Sequence, residues 1–235
     1  MIGIGVVGYG NWGPNLVRNF MMIGGARVVA VADQRPDRRD TVERVYPTVR
    51  TYTDVDAMLQ DAEVDAVVIA TPVSSHYPLA MRALKAGKHI LVEKPMTSTV
   101  AEGERLVTEA DARGLTLMVD HTFIYTSAVR KIRELVSDGQ LGELYYYDSV
   151  RVNLGLFQHD VSVLWDLAVH DLSIMDYLIG QSPTKVAATG IAHVEDQPVN
   201  MAYLTCFFDG TTIAHFHVNW LAPVKVRETL ICGSE

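Results

Sequence analysis

A chain of 235 residues is long enough to bury the cores of one or two domains. With 49% hydrophobic and 20% charged residues it has the composition of a globular protein, and a formal charge of −8 argues against a nucleic-acid surface. No apolar run approaches the roughly 20 residues of a membrane span, and no charged-then-apolar leader opens the chain. Cys206 and Cys232 read as reduced thiols of a cytoplasmic protein.

The first apolar run, Ile2–Val7, breaks at Gly8-Tyr9-Gly10-Asn11-Trp12-Gly13, and a helical pattern follows at once. In a strand–turn–helix context the GxGxxG spacing points to dinucleotide binding. Gly8 permits the tight turn, Gly10 lets the backbone approach a pyrophosphate, and Gly13 allows close packing of helix on strand. Pro14 suits the first helical turn, whose free N–H groups and dipole favour phosphate. Ala26–Ala32 reads as a second buried strand ending at Asp33, about 20 residues beyond Gly13, where an acid accepts ribose hydroxyls. Asp33 favours NAD by repelling a 2′-phosphate, and Arg35 tempers that preference toward NADP.

Pro36–Val45 reads as a surface helix, and Thr53 as the N-cap of a short one over Asp54–Gln60. Ala66–Ala70, His89–Val92 and Leu115–Val119 are apolar runs of the kind found in parallel strands covered on both faces. Helical patterns over Ser75–Ala86 and Thr99–Arg113 separate them, each stopped by a glycine, Gly87 or Gly114. Strands alternating with helices predict a doubly wound parallel sheet over residues 1–121. Ligands bind beyond the carboxyl ends of such strands, which gathers the glycine loop, Asp33, Thr71-Pro72 and Glu93-Lys94-Pro95 along one edge. His76, in the first turn of its helix, is placed to approach the coenzyme.

After His121 the pattern changes. Ala128–Ser137 and Leu164–Leu178 read as helices, the latter ending at Gly180. Gly142–Leu154, Lys185–Val194, Met201–Phe208, Thr211–Leu221 and Arg227–Ile231 read as strands, with Asp209-Gly210 a hairpin turn. Residues 122–235 are therefore expected to form an α+β domain with a largely antiparallel sheet.

Two groups carry chemistry. Lys94, held at a strand end by Pro95, is suited to proton transfer or alcohol polarisation; pairing with phosphate or with Glu93 is the plainer reading. Asp166 and His170, four apart on a helix, share a face, either as an oriented proton carrier or as a surface ion pair. Asp171 points elsewhere and reads as structural. Tyr125, Arg151, Asn153 and Gln158 are candidates to line a substrate site. His215 and His217 alternate onto one strand face without a third ligand at suggestive spacing, so no metal is expected. A cis peptide bond is expected before Pro95, in a tight positioning turn.

The stretches GVVGYGNWG, VAVAD, ATPVSSHYPLAMRALKAGKHILVEKP and WDLAVHDLSIMDYLIG resemble the glucose–fructose oxidoreductase, inositol dehydrogenase and MocA (Gfo/Idh/MocA) family. The resemblance implies a nicotinamide-binding Rossmann domain followed by a C-terminal α/β domain whose open sheet supports homodimers or homotetramers. It implies oxidation or reduction of a sugar, nucleotide-sugar or cyclitol hydroxyl, with Lys94, Asp166 and His170 around the reacting carbon. Thr71 and Pro72 match the family's nicotinamide loop, and Glu93 the partner in its tripeptide. Ile124 stands where the family often has arginine, and Val163-Leu164-Trp165 replaces a frequent glycine-rich turn, as in members tied to nucleotide-sugar metabolism. The chain is shorter than most members. Rival readings are a non-catalytic NAD-responsive regulator and a glycosidase that uses NAD in a transient redox step.

Overall fold

The computed structural model describes residues 1–155 and 158–235, in two compact units, Met1–Asp120 and His121–Glu235.

In the first unit six parallel strands, β1 (Ile2–Val7), β2 (Ala26–Ala32), β3 (Arg50–Tyr52), β4 (Ala66–Ile69), β5 (His89–Val92) and β6 (Leu117–Val119), lie in the order β3-β2-β1-β4-β5-β6. The order reverses beside β1, the switch point at which doubly wound sheets bind dinucleotides. Helices α1 (Gly13–Met22), α2 (Pro36–Val45), α3 (Val55–Leu59), α4 (His76–Lys85) and α5 (Val100–Arg113) connect the strands. Each sheet face carries its own core. Ile4, Val6, Val28, Val31 and Val68 pack with Leu16 and Val17, while Val7, Val67, Ile69 and Val92 pack with Ala80, Leu84 and Leu106. Burial on both faces is why these strands read as continuous apolar runs.

Local chemistry sets the ends. Thr99 and Glu102 form a reciprocal capping box at the start of α5, and Gly114 stops it at φ 63°. Asp54, not Thr53, caps α3: its carboxylate accepts the Asp56 N–H. The segment before α4 winds as one 3₁₀ turn, Val73–Ser75, so the α-helix begins at His76. β3 is three residues long, too short for a pattern, and is absent from the sequence reading.

The second unit holds α6 (Ser127–Ser137), α7 (Val169–Ile179) and a mixed, mostly antiparallel sheet of β7 (Leu144–Val152), β8 (Lys185–Ile191), β9 (Met201–Phe207), β10 (Ile213–Asn219) and β11 (Val226–Gly233). The sheet order is β11-β7-β10-β9-β8, and β7–β10 is its parallel pair. Alternate residues Ala202, Leu204, Cys206 and Ala214, Phe216, Val218 point to the core. The helix expected over Leu164–Leu178 is interrupted: Leu164–Ala168 forms a π-turn and regular α-helix starts at Val169.

Candidate active site

The glycine loop follows from three local demands. Gly8 adopts φ 93°, and a Cβ there would lie 2.7 Å from the Ala70 carbonyl oxygen. A Cβ on Gly13 would run into the Gly8 carbonyl. At Gly10 an added Cβ meets only the Arg35 guanidinium, at 3.6 Å, so this face stays open for a phosphate to approach the backbone. Asn11 and Trp12 are exposed at the loop's crest, ahead of α1. Tyr9 contributes through its main chain: its ring is buried, its phenol pushed up by burial and then by Tyr46, and its N–H donates to Asp33 Oδ2 at 2.7 Å.

Asp33 is the hub of this half of the site. Besides Tyr9, its carboxylate accepts the Arg35 main-chain N–H (2.9 Å), Nε (3.1 Å) and Nη2 (2.9 Å). Burial alone pushes the carboxyl up; the Arg35 side-chain and backbone hydrogen bonds, the Tyr9 N–H and the Arg35 charge outweigh it and hold Asp33 below its ordinary value. Arg35 is raised in turn, chiefly by its hydrogen bond to Asp33. Arg39 braces the same turn, donating from Nη1 to the carbonyls of Asp33 (2.7 Å) and Gln34 (2.9 Å).

At the ends of β4 and β5 the structure brings Thr71 and the Lys94-Pro95 turn together through His76. This corrects the expected coenzyme contact. The imidazole is 1% exposed, with Nδ1 2.8 Å from the Pro95 carbonyl and Nε2 2.9 Å from the Thr71 carbonyl. His76 therefore ties two loops together from beneath. Ser75 Oγ adds a bond to Thr71 Oγ1 at 2.7 Å and another to the Pro72 carbonyl at 2.7 Å. The Lys94–Pro95 peptide is cis. Glu93 is pushed up to about 8, first by burial, then by the charge and hydrogen bonding of Asp120, against the pull of Lys94. A proton shared with Asp120 also gives the buried Glu93 Oε1, which meets no described donor, a hydrogen-bonding role.

In the second unit, Asp166 lies in the π-turn, and its Oδ2 accepts the indole N–H of Trp220 at 3.1 Å. His170 lies in the first turn of α7, with its ring edge-on to Phe123 at 4.9 Å between centroids. Trp220 and Phe123 are the neighbours that sequence reasoning missed; each comes from a segment more than forty residues away, and no periodicity links them. Arg151 does not serve as expected. It is buried, its Nε and Nη2 each lie 2.8 Å from an Asp171 carboxylate oxygen, and its guanidinium covers the Phe123 ring at 4.5 Å. The buried fork is a structural pair, which also accounts for Asp171. Tyr125 is exposed beside Arg130 (5.6 Å), Asn153 donates its main-chain N–H to the Asn219 carbonyl (3.2 Å), and Gln158 is half-buried ahead of the π-turn. His215 and His217 lie against the Tyr203 ring at 6.1 and 4.4 Å, an aromatic stack on the sheet.

A six-stranded parallel sheet with a glycine loop and a buried acid at its switch point is the architecture of a dinucleotide-binding protein. Residues 2–121 match the oxidoreductase family with an NAD-binding Rossmann fold, and residues 129–235 match the Gfo/Idh/MocA C-terminal domain. The chain belongs to the Gfo/Idh/MocA oxidoreductase family.

Among its relatives, UDP-N-acetylglucosamine 3-dehydrogenase of Acidithiobacillus ferrooxidans is 33% identical over 227 residues, covering 95% of this chain and 67% of that protein. Myo-inositol 2-dehydrogenase of Thermotoga maritima is 26% identical over 206 residues, covering 83% of this chain and 60% of its own length. The crystal structure of GenD2 from gentamicin A biosynthesis, in complex with NAD, superposes with a TM-score of 0.93 at 23% identity, covering 100% of this chain and 70% of that one. That likeness establishes the shared fold. The chain thus spans about two thirds of the length of these relatives.

Proposed function

We propose that the protein is an NAD(P)-dependent oxidoreductase that moves a hydride between the nicotinamide and a hydroxyl-bearing carbon of a sugar, nucleotide sugar or cyclitol. The observation that carries the reading is the cradle at the switch point, where the Gly10 backbone is open beside Asp33. The substrate class is supported by the relatives, which act on a nucleotide sugar and on a cyclitol.

When bound, the dinucleotide supplies the hydride acceptor. The glycine loop and the N-terminus of α1 would hold its phosphates, Asp33 would accept the ribose hydroxyls, and Thr71-Pro72 would stand by the nicotinamide. His170 would take the hydroxyl proton of the substrate. Lys94 donates a hydrogen bond to the same oxygen and stabilises the negative charge that develops there. Asp166, anchored by Trp220, orients the imidazole. Tyr125, Asn153 and Gln158 are the remaining candidates for substrate contacts.

We also propose a cytoplasmic homodimer or homotetramer built on the open face of the second sheet. Tyr146, Tyr203, Ile213 and Leu230 are exposed there, and no described helix is long and apolar enough to cross a membrane.

The test is an NADH-absorbance screen against cyclitols, free sugars and nucleotide sugars. Lys94→Ala and His170→Ala are expected to keep dinucleotide binding and lose on the order of 10²–10⁴ in turnover. Near-normal rates in both variants would reject these roles.

A further inference from the structure

Arg227 lies on β11 directly opposite Arg151 of β7, so two guanidiniums stand side by side on the helix-facing side of the second sheet. Like charges paired across two strands cost stability, and only one of these two is neutralised. Arg151 is buried and spends both prongs of its fork on Asp171, at 2.8 Å each. Arg227 is exposed and forms no ion pair among the described residues. The carboxylate whose charge reaches it is the same Asp171, already taken. Partial burial and then the Arg151 charge hold the Arg227 guanidinium below its ordinary value, yet arginine begins so far above neutrality that it stays charged. The three groups therefore leave one surplus positive charge, on a chain whose formal charge is −8.

That charge is not on a remote surface. The Cζ of Arg227 lies 5.8 Å from the centre of the Phe123 ring, whose edge-on neighbour at 4.9 Å is the His170 imidazole. One aromatic ring thus separates the proposed proton carrier from an uncommitted cation. A hydroxyl at His170 and an anion at Arg227 can belong to one small molecule. All of these side chains come from within His121–Glu235, so the second unit alone fixes the arrangement. The Phe123 ring neutralises none of the charge on Arg227, and a neutral residue there would relieve Arg151. What the position gains from an arginine is a planar fork open to solvent, the shape that pairs with two oxygens of a carboxylate or a phosphate.

We propose that Arg227 is a substrate-selecting residue. It pairs with an oxyanion carried by the molecule whose hydroxyl His170 deprotonates, so the chain takes acidic sugars, bearing a carboxylate or a phosphate, in preference to neutral sugars and cyclitols. Both groups offer the guanidinium the same paired oxygens, and the arms of the experiment separate them. This rests on the oxidoreductase reading above and narrows its substrate class.

The experiment is calorimetry on the full chain saturated with NADH, which keeps phosphate-bearing probes out of the dinucleotide site. The probes are glucuronate, glucose 1-phosphate, UDP-glucose and glucose, with wild type, Arg227→Gln and Arg227→Lys. Wild type is expected to bind at least one of the three acidic probes about tenfold or more tighter than glucose, the scale of a hydrogen bond to a charged group. A margin confined to glucuronate names the carboxylate, and one confined to the other two names the phosphate. Arg227→Gln should remove the margin while the affinities for NADH and glucose stay as they were. Its urea midpoint should hold or rise, because a like charge opposite Arg151 is gone. Arg227→Lys should keep part of the margin, since an ammonium holds the charge without the fork. An undiminished margin in Arg227→Gln, equal weakening of glucose and the acidic probes, or no wild-type preference for any acidic probe overturns the proposal while NADH binding stands. Failure of NADH itself to bind sinks the oxidoreductase reading as well.

Discussion

Replacing Glu93 with Gln should remove a pH dependence that the wild-type protein carries in an unusual window. The carboxyl has an ordinary value of 4.5 and is pushed up to about 8 by burial and by Asp120. Between those two values the folded chain holds a proton that the unfolded chain has released, so stability falls as pH rises. The contribution is complete below the unfolded value and gone above the folded one. Each pKa unit is worth about 1.4 kcal/mol, so the whole excursion is on the order of 5 kcal/mol. The paired acids Asp33, Asp61 and Glu63 are all held below their ordinary values and act in the opposite sense: their stabilisation is lost as pH falls into the acid range. The two effects occupy different windows and do not mask each other. Urea unfolding of wild type and Glu93→Gln, followed by circular dichroism at intervals from about pH 5 to about pH 9, measures the difference. The wild-type midpoint should drop steadily toward pH 8 and then level, while that of the variant stays nearly flat. Parallel curves through this range would show that Glu93 is ionised in the fold and refute the shared-proton assignment.

Other perturbations separate structure from function. Gly10→Ala should leave the urea midpoint within about 0.5–1 kcal/mol of wild type while weakening NAD markedly, whereas Gly13→Ala, which meets the Gly8 carbonyl, should damage both; equal effects on folding at the two positions would contradict the loop geometry. Arg151→Met alone should cost about 3–5 kcal/mol by leaving Asp171 buried without its partner, and adding Asp171→Leu should recover most of it, as a double-mutant cycle would show. His76→Ala should cost about 1–3 kcal/mol by releasing the Pro95 and Thr71 carbonyls together, and an unchanged urea midpoint would contradict the double tie.

What was legible in the sequence was whatever short-range pattern encodes. The glycine loop, Asp33 and the buried strands are local signals, and each lies where its spacing placed it. β3 escaped because three residues cannot display a period. The regular helix expected through Asp166 assumed α-helical spacing, which the π-turn at Leu164–Ala168 breaks. Arg151 was misread because its partner is 20 residues on, across a strand-to-helix packing that no window spans. His76 was misread for the same reason: a histidine at a helix start near a ligand edge looks like a ligand contact until the two carbonyls that hold it are seen. Trp220, whose indole anchors Asp166, follows β10 with nothing in its surroundings to announce the role.

The order of strands in the second sheet bears on how the chain assembles. β7 sits between β10 and β11, so both of its hydrogen-bonding neighbours are made long after it: Val152 ends β7, while β10 begins at Ile213. During synthesis this nine-residue strand leaves the ribosome with no partner on either edge and waits for some sixty further residues. The Rossmann unit, whose strands pair within Met1–Asp120, is free to close in that interval. Its partner unit closes late, and chaperone dependence and misfolding should concentrate in the half of the gene that follows.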